Sequence, residues 1–125
     1  MNAGPLKTLV NSNQKYSHHA HVYYDVGVSI CRQRAMALKL CETARDRFEL
    51  KMGRMHDESI GPHPVGSCQL LLPTERSEEI INWLDENRQG LTVLIHTLSG
   101  DDYLDHTKGV HWLGTPCELD LSVFD

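Results

Sequence analysis

From His19 to Asp25 the chain reads HAHVYYD, and this alternation is the tightest constraint on what it can fold into. Successive side chains of a β-strand point to opposite faces. Period 2 therefore puts His19, His21 and Tyr23 on one face and Ala20, Val22 and Tyr24 on the other. One face suits a hydrophobic core. The other gathers imidazoles and a phenol, which are costly to bury unless they are used.

The segments that follow supply such a strand with partners. In ICRQRAMALKLCETARDRFEL, Ala37, Cys41, Ala44 and Phe48 recur at helical spacing with Arg and Glu opposite, and Ser29 is placed as the N-cap. Residues 51–56 read as a short strand, DESIGPHPVG as a loop, and SCQLLL (67–72) as a strand ended by Pro73. Thr74 is placed to cap the helix SEEIINWLDENRQ, with Ile80, Trp83, Leu84 and Asn87 along one face and Gly90 as its stop. LTVLIHTL is the last strand.

The resulting βαββαβ order predicts an α+β, ferredoxin-like sandwich, an antiparallel sheet with two helices on one face. Its usual strand order, 4-1-3-2, brings the His21 strand beside the His96 strand. Residues 1–15 lack periodicity and read as a flexible N-terminal arm, leaving 16–125 as a single domain. The stretch 101–125 is a C-terminal extension beyond the core. Trp112, Leu113, Leu119, Leu121, Val123 and Phe124 are too apolar for a free tail, so it should wrap the sheet or reach a second subunit.

Composition removes several classes of function. A formal charge of −5 over 125 residues argues against nucleic acid as a partner. No apolar run reaches the roughly 18 residues of a membrane span, and the polar start lacks the apolar segment of a secretory signal, so a cytoplasmic location is expected. The four cysteines show no C-x-x-C spacing and read as buried free thiols.

Eight histidines are the chemical resource. The open sheet face should collect His19, His21, Tyr23, Gln69, Thr92, Leu94 and His96. His63, held between two prolines in GPHP, is presented in a set direction. His18 is read as exposed, and His56 and His111 as structural residues. Neutral imidazole suits iron, zinc and copper. His21, His63 and His96 can hold one such ion, two from adjacent strands and the third from a rigid loop; the H-x-H spacing equally allows His19 as ligand with His21 behind it. A carboxylate from Asp57, Glu58, Asp101, Asp102 or Asp105 can complete a two-histidine, one-carboxylate face. No H-E-x-x-H, G-x-S-x-G or phosphate-cradling glycine loop is present.

HAHVYYD, GRMHDESIGPHP, NRQGLTVLIHTLSGDDYLDHT, HWLG and ELDLS, in this order, resemble the DOPA 4,5-dioxygenase family, over almost the whole chain from Tyr16 to Phe124. The resemblance implies a ferredoxin-like subunit, often a homodimer, and extradiol cleavage of a small catechol such as DOPA with Fe(II) and O2. The isolated protein can carry manganese or zinc instead. Carried over by position, the family's histidines fall on His19, His21, His63, His96 and His106. With His21, His63 and His96 on the metal, His19 or His106 can take the proton of a catechol hydroxyl and return it later, with Tyr23 as a hydrogen-bond donor. The competing reading is a dimeric module that binds a metal or small ligand without turnover, its open sheet face serving as the subunit interface.

Overall fold

Strand β1 (Tyr16–Tyr24) lies at the middle of the sheet, antiparallel to β2 (Gly66–Pro73) on one side and β3 (Val93–Thr97) on the other. The computed structural model describes residues 14–25 and 30–125. Most of the expected N-terminal arm, the turn at 26–29 and the Ser29 cap lie outside the described residues. A fourth strand, β4 (Val110–Leu113), pairs antiparallel with β3, giving the order β2-β1-β3-β4.

Helices α1 (Ile30–Phe48) and α2 (Ser77–Asn87) cover one face of this sheet. Ala20, Val22 and Tyr24 of β1, Leu70 and Leu72 of β2, and Val93 and Ile95 of β3 meet Ala37, Cys41, Ala44 and Phe48 of α1 and Ile80 and Leu84 of α2 in one core. The expected ferredoxin-like sandwich is formed. Alternation drives it, because every second residue of three strands is apolar and buries on the same side.

Local expectations change in four places. Residues 51–56 run beside β2 but form no continuous ladder with it, pairing as isolated bridges, Met52 to Leu70 and His56 to Ser67. Thr74 does not cap α2: it opens a short 3-10 turn (Thr74–Arg76), its hydroxyl donates to the Gln14 carbonyl, and α2 starts at Ser77 without a side-chain cap. His18 is buried rather than exposed, with only 4% of its surface accessible. It lies on the same face as Ala20 and Val22, opposite Leu72 of β2 and Thr97 of β3, and the Asp105 turn is bonded to that threonine. The C-terminal stretch not only wraps the sheet but also joins it, as β4.

Candidate metal and substrate site

The face away from the helices carries the chemistry. In the β1–β3 ladder His19 pairs with His96 and His21 with Leu94, and cross-strand partners share a face. Ring centroids are 5.8 Å apart for His19 and His21, and 5.1 Å apart for both His19–His96 and His21–His96. One ring nitrogen from each of the three lies within 4.8 Å of the others.

Two loops add to this group. The His63 N–H donates to the Ile60 carbonyl at 3.0 Å, closing a tight turn in which Gly61 takes φ +57°, a conformation that favours glycine. That turn brings the His63 ring to 4.1 Å from His21, centre to centre. His106 follows the short helix α3 (Asp102–Asp105), capped by the Asp101 carboxylate, which accepts from the Leu104 N–H at 3.0 Å. Its ring lies 4.1 Å from that of His96. Gly109 makes this loop possible, since a Cβ there would collide with the Thr97 hydroxyl oxygen. All five histidines chosen from the sequence, and Tyr23, are thus brought together. His63 and His96 each neighbour His21, while the three nitrogens that converge belong to His19, His21 and His96.

Hydrogen bonds decide which nitrogens are available. His96 Nδ1 lies 2.9 Å from the Thr97 carbonyl, an acceptor, so Nδ1 carries the proton and Nε2 keeps its lone pair. That Nε2 is 3.0 Å from His21 Nε2. Two nitrogens bound at right angles, each about 2.1 Å from a metal, are separated by about 3.0 Å, so the pair already has a spacing that suits shared coordination. His106 Nδ1 likewise donates to the Asp102 carbonyl at 2.8 Å. The Tyr23 hydroxyl lies 2.7 Å from His63 Nδ1 and steers that ring.

Burial and mutual repulsion favour the neutral form of His19, His21, His63 and His96. Burial first, then the other imidazoles, push His21 well below the usual histidine range. The same causes bring His63 down to about 4 and His96 to about 3, and lower His19. Burial also raises the Tyr23 phenol, which stays protonated. Neutral imidazole is the form that ligates a metal.

Three candidate carboxylates are committed elsewhere. Asp105 accepts from the Thr97 hydroxyl at 2.7 Å and from the Ser99 N–H. Asp57 accepts from Arg34 and Tyr24, and Asp101 caps α3. Among the described residues the converging ligand group is histidine alone.

The chain covers its own histidine face. The Asp120 N–H donates to the Pro62 carbonyl at 2.9 Å, tying the C-terminal stretch to the His63 turn. Phe124 packs 4.6 Å from the His106 ring, and Trp112 packs 6.0 Å from Tyr23. Beside His21 and His63 remains a cavity of about 270 Å³, walled by Gly53, Arg54, His56, Ile60, Gly61, Pro62, Ser67 and Gln69. It lies near the small end of the ligand-pocket range, roughly 300–1,000 Å³. The part played by Arg54 and His56 in this wall carries no signal in the sequence, because the alternation of residues 51–56 is broken there.

Fold and site together define a ferredoxin-like domain with a buried histidine cluster able to hold a metal ion beside a small cavity. The chain belongs to the Dopa 4,5-dioxygenase family, whose model matches residues 18–123. It is 28% identical over 121 residues to the DOPA 4,5-dioxygenase of Amanita muscaria, covering 94% of this chain and 53% of that protein. An uncharacterized 21.2 kDa protein of Botryotinia fuckeliana is 37% identical over 100 residues, covering 73% of this chain and 55% of that one. The chain therefore spans about half the length of the curated relatives it matches. A crystal structure from Nostoc punctiforme PCC 73102, described as a "putative dioxygenase", superposes with a TM-score of 0.80 at 34% identity over 90% of this chain and 94% of that one. Among the described residues no helix is long and apolar enough to cross a membrane.

Proposed function

We propose that this chain is a non-haem Fe(II) dioxygenase that opens the aromatic ring of a small catechol with O2. The observation that carries the reading is the convergence of neutral imidazole nitrogens from His19, His21 and His96 beside a cavity sized for one substituted ring. Family membership supports it from a separate direction. Fe(II), when bound, would supply a Lewis acid with open positions for the two catechol oxygens and for O2.

The residues divide the remaining work. His21 and His96 are assigned to the metal. The sequence-derived set adds His63 as third ligand and leaves His19 and His106 to move protons. The nitrogen positions favour His19 in that third place, with His63, steered by Tyr23, facing the cavity. In either arrangement an imidazole outside the metal accepts the proton of a catechol hydroxyl and gives it back as the ring opens. The covering by Pro62, Asp120 and Phe124 limits access of water to that face and argues against its use as a bare subunit interface.

Anaerobic loading with Fe(II), followed by DOPA, caffeate or protocatechuate and air, should give O2 uptake and yellow ring-opened semialdehydes. Absence of O2 uptake across a broad catechol panel by protein that retains its iron would defeat the reading.

A further inference from the structure

The segment beside β2 holds one residue too many. Met52 bridges to Leu70 and His56 to Ser67, so four steps on one side (52 to 56) oppose three on the other (70 to 67). An extra residue in an edge strand is a β-bulge, which interrupts the ladder and re-aims side chains. Met52 and Met55 show the effect: both pack against the core although they are three residues apart, a spacing that a regular strand sends to opposite faces. Gly53 and Arg54, between them, line the cavity with His56, beside His21 and His63.

Among the described residues, Arg54 is the only Arg or Lys in that wall, and none there is Asp or Glu. Arg34, Arg45, Arg76 and Arg88 each meet a carboxylate. Arg54 meets none among the described residues, and the nearby Asp57 is already held by Arg34 and Tyr24. A chain with net charge −5 does not attract anions as a whole, so a lone cation at the cavity marks where one would be received. Guanidinium offers a planar fork of donors that matches a carboxylate.

We propose that Arg54 is a specificity-determining residue, placed in the cavity wall by the bulge, which binds a carboxylate on the side arm of the ring substrate while the diol end faces the histidines. The assignment rests on the ring-cleavage reading for the diol end, but its test does not. The probes are 3-(3,4-dihydroxyphenyl)propionate and its methyl ester, which share ring and arm and differ in charge.

Calorimetric titration of the Fe(II)-loaded protein without O2 should show the acid binding about tenfold tighter than the ester. In Arg54→Gln the two should bind about equally, through loss of acid affinity with the ester unchanged, and Arg54→Lys should restore part of the difference. On aeration the same loss should appear in KM, with kcat held within about twofold. An acid preference that survives in Arg54→Gln, no preference in the unaltered protein, or no binding of either probe would overturn the proposal. An Arg54-dependent preference without O2 consumption would sink ring cleavage and leave Arg54 standing. Equal consumption of acid and ester would do the reverse.

Discussion

The two faces of the sheet are built from the same strands, alternate residues apart, and they obey different rules. Ala20, Val22 and Ile95 are fully buried under α1 and α2, where shape and apolar area are what matter. His19, His21 and His96, one residue away along the same backbones, gather polar rings whose placement gives the fold no hydrophobic gain. Strand alternation thus lets one ladder hold a core and a histidine cluster without compromise between them. The comparison predicts that neighbouring substitutions should fail in different ways.

The largest separation is expected at His96 and Ile95. His96→Ala should lower metal affinity by more than about 100-fold, beyond the usual cost of losing an outer partner, and lower turnover with it, while the chain stays folded. Metal titration and circular dichroism on one preparation check both halves. Ile95→Ala should instead cost about 2–5 kcal/mol of unfolding free energy in urea, with metal bound per folded chain unchanged. If both variants lost stability and metal in parallel, the division between faces would fail.

Acid should act on the histidine face next most strongly. Unfolded imidazoles bind protons near pH 6.5, whereas His63 does so at about 4 and His96 at about 3. Below about pH 6.5 the unfolded chain therefore holds more protons than the folded one, so stability falls with pH until those lower values are reached. Between pH 7.5 and 5 the metal-free protein should lose on the order of 10 °C in Tm. Melting curves that do not move across this interval would show that the imidazoles are not held neutral. The smallest effect is expected for Tyr23→Phe, which removes the hydroxyl beside His63 Nδ1 but keeps the ring. Turnover should drop about tenfold with the fold intact, as read from steady-state rates and Tm.

Most of the sheet and the strand-borne His19, His21 and His96 were legible in the sequence because they rest on period 2, whereas His63 is marked by its flanking prolines and His106 by the family resemblance. HAHVYYD and LTVLIHTL each sort their residues by parity, and the expected strand order sets the two side by side, as the structure has them. What could not be read depends on departures from that period. The bulge near Arg54 shifts parity by one residue and the Thr74 hydroxyl donates to Gln14 instead of capping a helix, whereas the burial of His18, two residues before Ala20 on the core side, does follow from period 2. The choice of third ligand is hidden for another reason. His19 and His63 approach the same rings from different elements, and sequence spacing carries no distance between a strand and a loop.

Anaerobic calorimetric titration of Fe(II) into the metal-free protein and its single-histidine variants tests the central claim most directly. One ion per chain should bind the unaltered protein. Binding should weaken by more than about 100-fold in His21→Ala and His96→Ala, should weaken alike in only one of His19→Ala and His63→Ala, and should be unchanged in His111→Ala, whose ring is exposed on β4. Saturable binding that persists at full strength in His21→Ala or His96→Ala, or none at all in the unaltered protein, would contradict the assignment of this face to a metal.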